Sequence, residues 1–491
     1  MKKRSFLLPW ILIAGLSILL IGSTFHKALV TSFTHDESFT YNHYVTASLA
    51  DIFGYTTVSP NNHLLNTLLM KTVACFFGNS AVALRFPNIL AHLGFLVFSL
   101  LILRKLKPWI ILPLFALLNC NPYLMDFFAL ARGNGLSYCF LLGSIYFLIR
   151  YTDHKKYSLY IWSVVFASFG VLSHFTLLYY LLSLIAVANI YPMIQRFITG
   201  DSAASGRRMY IRINLVNLAA LLILGIIMAG PVHKLVAADQ FFYGGESGFW
   251  RNTVGTLIET FFYGIGYGAF WWILMKVLVV TVVISTMVLL TYIILKKKSR
   301  LFSENTVLFL VFFLLLFAVF INISQFHILG TKLLVRRYGL LFVPMFMLCL
   351  GFLLDFLIRE MNIKIIPLFF LYLIASAFTI HTFHSFSGTT YLDWDYEKET
   401  RNAMAILEKD VKLHGQPGTI SLGITWLFEP TVNFYRDTRG LTWLKPVTRD
   451  GPAIEAGYYY IVREDMTRIP LRGASPRILL DDGKVLLVKV K

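Results

Sequence analysis

The chain has 491 residues, 57% hydrophobic and 14% charged, with a formal net charge of +18. Soluble domains carry roughly 25% charged residues, so the composition excludes an ordinary soluble domain and predicts a mainly α, polytopic membrane protein. In such a chain the surplus Lys and Arg belong in inner loops and at lipid headgroups, and nothing points to nucleic acid as a partner.

Residues 6–25 form the first apolar run, behind Lys2, Lys3 and Arg4, and read as an uncleaved span rather than a signal peptide. Further runs predict spans at 82–103, 109–127, 134–150, 158–173, 175–195, 213–231, 269–295, 303–323, 339–358 and 364–384. Basic clusters recur in alternate loops: Arg104, Lys105 and Lys107; Lys155 and Lys156; Arg196, Arg207, Arg208 and Arg212; Lys296 to Lys298 and Arg300. With an odd number of spans, this bias puts the N-terminus in the cytoplasm and the C-terminus outside the cell (inner) membrane.

Two long outer loops are expected, near 26–81 and 232–268. Residues 385–491 lack spans and predict a small extracytoplasmic α/β domain. "YEKETRNAMAILEKDVKL" reads as a helix; "GTISLGI", "GYYYIV" and "RILLDDGKVLLVKV" read as strands, the last a hairpin turning at Asp482-Gly483. The expected domains are 1–384, with a catalytic first outer loop at 26–81, and 385–491. The four cysteines (Cys75, Cys120, Cys139 and Cys349) contain no CxxC pair and give no metal or redox motif.

The first outer loop opens with "THDESFTYNHY", Thr34 to Tyr44. Thr34-x-x-Glu37 matches a capping box. Behind it Tyr41, Val45, Leu49 and Ile52 form an apolar stripe at helical spacing. Capping accounts for Glu37 but not for Asp36, nor for the crowding of His35, His43 and Tyr44. Several basic residues also fall on the outer side: Arg85, Arg132, Lys332, Arg336 and Arg337. They either snorkel to ordinary lipid phosphates or, as guanidinium forks, bind a substrate phosphate.

The order of an acidic pair after span one, "SPNNHLLNTLL", "ALRFPNILA", "ARGNGLSYCFLL", "SHFTLLYY" and "RRYGLLFVPMF" resembles the polytopic GT-C glycosyltransferases. The similar branch contains the bacterial relatives of the dolichyl-phosphate-mannose protein mannosyltransferases and the lipid A aminoarabinose transferase. The resemblance covers about the first 350 residues. It implies transfer of a sugar from a polyprenyl-phosphate donor to a lipid, glycan or protein acceptor at the outer face. The family's catalytic carboxylate falls on Asp36, with Glu37 beside it. The Lys of a Lys-Pro-Pro-Leu element common in the lipid A branch is absent from the matching stretch Pro60-Asn61-Asn62-His63-Leu64.

Phosphate leaves readily once its charge is stabilised, and the acceptor hydroxyl needs a base. Asp36 is the expected base, with Glu37 as helix cap or secondary sugar contact. Arg132, Arg336, Arg337 and Arg85 are expected to hold the donor phosphate. His35, His63, Asn62, Tyr338 and His174 are expected to meet the sugar or acceptor. Direct attack would invert the anomeric centre. No cofactor is expected; a divalent metal near Asp36 is an alternative that lacks close ligand spacing among the histidines. Trp250 and Tyr243 are either interfacial belt residues or sugar platforms. Rival functions are a lipid-linked oligosaccharide polymerase or ligase, which shares the leaving group, a transporter or flippase, which would need ionisable residues inside spans, and a non-catalytic receptor.

Overall fold

The computed structural model describes residues 7–200, 205–240, 243–360, 365–386, 388–414, 418–471 and 475–490. Lys2, Lys3 and Arg4 lie outside the described residues. Among the described residues, eight helices are long and apolar enough to cross a membrane: Leu7–Val30, Ala81–Leu103, Phe175–Thr199, Arg207–Ala237, Ala269–Leu295, Thr306–Leu329, Phe342–Glu360 and Leu368–Phe386. Helices Pro108–Asn119, Gly133–His154 and Tyr157–Ser173 fall on the other runs predicted as spans.

The predicted span 109–127 is broken. Its helix ends at Asn119, and a separate turn runs from Pro122 to Asp126. Asn121 precedes a proline, which disfavours helical backbone there, and it adopts φ −121°, ψ 112°. Its side chain then caps the new turn by accepting the Leu124 N–H at 2.9 Å.

The chain forms two compact units. The first comprises the described residues of Met1–Thr24, Asn88–Ala129 and Gly133–Ser387. It is built of helices alone apart from short turns and an isolated bridge at Gly245–Leu333. Helices Gly133–His154 and Tyr157–Ser173 form a tight hairpin. Small residues allow the approach: a Cβ on Gly143 would lie 2.3 Å from the Phe166 ring. The Ser144 and Ser163 hydroxyls donate to each other's backbone carbonyls at 2.7 and 2.9 Å.

The second unit joins Phe25–Pro87, Leu130–Arg132 and the described residues of Gly388–Lys491. Thus the first outer loop belongs to the same compact unit as the C-terminal segment. Four strands, β1 (Leu422–Ile424), β2 (Tyr458–Val462), β3 (Pro476–Asp481) and β4 (Val485–Val490), make a sheet of order β1-β2-β4-β3. β1 and β2 are parallel; β2–β4 and β3–β4 are antiparallel. The β3–β4 hairpin turns at Asp482-Gly483, and Gly483 has φ +91°, which favours glycine. The predicted helix is Thr400–His414; a second, Glu429–Thr438, was not apparent in the sequence. Phe33, Tyr41, Met70 and Leu84 share one core with Leu407, Phe428, Phe434 and Tyr460. The Phe33 ring stacks on Phe434 at 4.2 Å.

Candidate active site

The two adjacent carboxylates begin helix His35–Thr40. Thr34 is its N-cap, and the capping box is complete: the Thr34 hydroxyl oxygen faces the Glu37 N–H, and Glu37 Oε2 accepts the Thr34 N–H at 2.9 Å. Consecutive helical residues point about 100° apart, so capping turns Glu37 inward and leaves Asp36 on another face.

Glu37 is fully buried and heavily bonded. Arg85 grips it with both arms of the guanidinium fork, Nε to Oε1 at 2.8 Å and Nη2 to Oε2 at 2.7 Å. The Ala131 N–H donates to Oε1 at 2.6 Å. The remaining Arg85 N–H groups reach the carbonyls of Ala28, Thr31 and Ser32 and the Thr31 hydroxyl. This corrects two expectations. Arg85 has no exposed side-chain surface and no donor to offer a substrate phosphate, and Glu37, equally buried, has no surface with which to meet a sugar. The tie fixes three chain segments: the end of the first helix, the start of helix Ala81–Leu103 and residues 130–132.

Asp36 is held differently. Its side chain is 14% exposed; Arg132 Nη2 stands 3.4 Å from Oδ2 and Asn61 Nδ2 stands 3.5 Å from Oδ1. These contacts are 0.7–0.8 Å longer than the 2.7 Å grip on Glu37. Long, imperfect contacts are common for catalytic groups before substrate arrives. Arg132 is itself placed by Asn61, whose Oδ1 accepts from Nη2 at 3.1 Å. The Ala131 carbonyl beside it accepts from Asn66 Nδ2 at 2.9 Å. Asn61, not Asn62, therefore belongs with Asp36. Asn62 is buried, with Nδ2 on the Ile52 carbonyl and Oδ1 on the Thr67 hydroxyl. That corrects its expected sugar contact: both ends of its amide are engaged in bracing the loop. Two adjacent asparagines gave no signal to choose between them.

His35 is in the same unit, its Nδ1 2.7 Å from the Leu427 carbonyl. His63 is half-buried at the N-cap of helix Leu64–Phe77. Glu397 is a third, unforeseen buried carboxyl. It accepts from the Thr400 hydroxyl at 2.6 Å and the Thr431 hydroxyl at 2.9 Å. Burial pushes its pKa up to about 8, the two hydroxyls oppose that, and the charges of Asp36 and Glu37 add to it.

The other expected residues lie in the first unit and form their own cluster. The His174 ring is 5.7 Å from Tyr338, and Tyr338 is 5.3 Å from Tyr243. The Arg337 guanidinium sits 5.3 Å from the Tyr338 ring centroid. The Arg337 carbonyl accepts from the Tyr138 hydroxyl at 2.9 Å. Arg336 has φ +46°, and its N–H donates to the Thr256 hydroxyl at 3.0 Å. Among the described residues, no group of three or more His, Cys, Asp or Glu side chains is arranged to hold a metal ion.

Residues 63–227 match a family model described as dolichyl-phosphate-mannose-protein mannosyltransferase. Curated protein sequences give no match. Among solved structures, ArnT from Cupriavidus metallidurans bound to undecaprenyl phosphate aligns over 97% of both chains, at 11% identity and a TM-score of 0.50. The chain has the GT-C fold. The apo oligosaccharyltransferase of Archaeoglobus fulgidus aligns over 88% of this chain and 64% of its own, at 13% identity and TM-score 0.48. Arabinosyltransferase EmbB of Mycobacterium smegmatis aligns over 87% and 42%, at 11% identity and TM-score 0.42.

Within this GT-C fold the family match takes in Arg85, Arg132 and His174 but stops short of Asp36 and Arg337. The first unit also contains an apolar cavity of about 390 Å³. Trp250, Phe261, Val283, Phe312 and Phe346 are among its walls, and no polar surface lines it. A multi-pass membrane protein with such a cavity can accommodate a hydrocarbon chain without exposing it to water.

Proposed function

We propose that this protein is an integral membrane glycosyltransferase that moves a sugar from a polyprenyl-phosphate donor to an acceptor hydroxyl at the outer face of the cytoplasmic membrane. The observation carrying the reading is the contrast between neighbouring carboxylates: Glu37 is fully buried against Arg85, whereas Asp36 keeps some exposed surface beside Arg132. The fold shared with ArnT, and the undecaprenyl phosphate in that structure, support the donor class.

Asp36 accepts the proton of the acceptor hydroxyl as its oxygen bonds to the sugar C1. The C1–O bond to phosphate breaks, and the polyprenyl phosphate departs with the electron pair. Attack from the opposite side inverts C1. Arg132 stabilises the growing charge on the phosphate, and its placement by Asn61 leaves it oriented before substrate binds. Arg336 and Arg337 are assigned to phosphate binding, and Tyr338, His174, His63 and His35 to sugar or acceptor hydroxyls. The prenyl tail would occupy an apolar groove such as the one bordered by Phe312 and Phe346.

Mass spectrometry of envelope lipids and glycans tests the reading. Cells carrying Asp36→Asn in place of the wild-type protein should lack one sugar on one product and accumulate its polyprenyl-phosphate form. Identical envelopes would refute it. Loss of a whole oligosaccharide block instead of one sugar would favour the polymerase or ligase reading.

A further inference from the structure

We infer that Trp426, Arg449 and Phe39 form a carbohydrate-binding platform beside Asp36, which takes a sugar ring of the acceptor. The inference rests on the glycosyltransferase reading above and adds the chemical class of acceptor.

The platform is built from the backbone outward. β1 is followed by Thr425, whose N–H reaches the Tyr460 carbonyl at 3.2 Å and whose hydroxyl donates to Asp465 and accepts the Val462 N–H. The turn Trp426–Phe428 follows. Phe428 goes into the core with no exposure, while Trp426 stays 50% exposed. The Leu427 carbonyl, between them, meets His35 Nδ1 at 2.7 Å, which fixes the turn to the residue next to Asp36. The His35 and Trp426 rings stand 6.4 Å apart, edge to face.

Arg449 arrives from a different segment. The Asn433 amide pins Val447 reciprocally, giving to its carbonyl and accepting its N–H, both at 3.0 Å. Two residues later the Arg449 guanidinium lies 5.9 Å from the Trp426 ring and 6.0 Å from the Phe39 ring. Its Nε donates to Glu429 at 3.2 Å, yet 46% of its side chain stays open. Phe39, one turn beyond His35 and Asp36, packs at a tilt against His43, ring centroids 4.2 Å apart. Asn42 Nδ2, donating to the Pro430 carbonyl at 2.9 Å, ties that helix to the same region.

A rigid, half-exposed indole with fixed donors and acceptors around it suits a ring with one apolar face and hydroxyls at its edge. The C–H face of the sugar lies on Trp426. Arg449 donates to hydroxyls, and Glu429 accepts from them. An interfacial anchor would need no such polar surround and no tie to His35. The position also follows from the chemistry: a general base must come within hydrogen-bond reach of the hydroxyl it deprotonates. The ring held at His35 belongs to the partner that carries this hydroxyl.

The test uses full-length protein in detergent. An envelope lipid and glycan extract from cells lacking the protein is titrated as acceptor. The polyprenyl-phosphate-sugar fraction of the same cells is held fixed, and then the roles are reversed. Trp426→Ala should raise the half-saturating acceptor concentration by about tenfold or more, the scale expected for an aromatic anchor. Trp426→Phe should stay within about threefold and Arg449→Ala should fall between them, with donor half-saturation unchanged in all three. Asp36→Asn runs alongside and should lose turnover without a change in acceptor half-saturation. If Trp426→Ala leaves acceptor half-saturation unchanged while Asp36→Asn abolishes transfer, the platform is wrong and the enzyme reading stands. If Asp36→Asn transfers normally, the enzyme reading fails and takes the platform with it. A shift in donor rather than acceptor half-saturation would also overturn the platform.

Discussion

Arg85 binds both carboxylate oxygens of Glu37, and neither side chain has any surface left for solvent. A planar guanidinium matches a carboxylate in this way, whereas an ammonium does not. The pair therefore acts as a rivet inside the second unit.

Removing one partner of that rivet should cost stability before it costs chemistry. Glu37→Gln leaves Arg85 charged, buried and half unbonded; breaking such a pair typically costs about 3–5 kcal/mol. Arg85→Lys should be nearly as damaging. Thermal unfolding in detergent should show a large drop in midpoint for both variants. The surviving folded fraction should retain donor binding.

Asp36→Asn should behave in the opposite sense. Asparagine keeps the shape of the side chain and can still accept from Arg132, so unfolding should change less than in Glu37→Gln. Turnover should fall by about 10²-fold or more, the scale for a lost general base. Donor affinity, measured by binding rather than rate, should be nearly unchanged.

Arg132→Ala should weaken donor binding by about tenfold or more, because a charge-assisted phosphate contact is lost. Arg132→Lys should recover only part, since an ammonium cannot reproduce the planar fork that reaches Asn61. Arg336→Ala and Arg337→Ala, made separately, test the phosphate role of those residues by the same titration. Unchanged donor affinity in a variant would remove that residue from the assignment.

Glu397 gives a pH dependence of defined sign. Its folded pKa of about 8 lies above the ordinary 4.5, so the folded state holds its proton where the unfolded chain has lost it. The stability of the protonated form is complete below about pH 4.5 and is lost as pH rises toward about 8. The unfolding midpoint of the wild-type protein should fall across that window. Glu397→Gln should flatten that part of the profile, and an unchanged slope would show that Glu397 is not its source.

The charge bias of the loops predicts that the C-terminal segment lies outside the cytoplasm. A reporter active only outside the cytoplasm, fused behind the last residue, should be active. Signal from a cytoplasm-only reporter at that position would reverse the orientation and put Asp36 on the wrong side for a flipped lipid donor.

The long helices were legible because apolar length is a strong signal, and the break at Asn121-Pro122 was visible as a dipeptide but hidden by the apolar residues around it. The capping box identified the helix start and the face Glu37 would take. Arg85 was misread for a physical reason: at a span's outer end, a cation aimed at lipid phosphate and one aimed inward at a carboxylate have the same local sequence. Asn61 and Glu397 were missed because their roles depend on residues far along the chain. Trp426 carried no signal either, as its neighbour Phe428 is equally aromatic but faces the core.

The second unit is discontinuous, and this imposes an order on biosynthesis. Residues 25–87 leave the ribosome hundreds of residues before 388–490, yet Phe33 stacks on Phe434 and donates its N–H to the Tyr435 hydroxyl at 2.8 Å. Contacts of such long range form late. The nascent chain can insert its spans and close the Glu37–Arg85 rivet while the Asp36 helix still lacks its core. A chain halted anywhere before residue 388 would thus lack the core against which Phe33 and Tyr41 pack. That ordering leaves the Asp36 helix without its packing partners until the rest of the protein has been made.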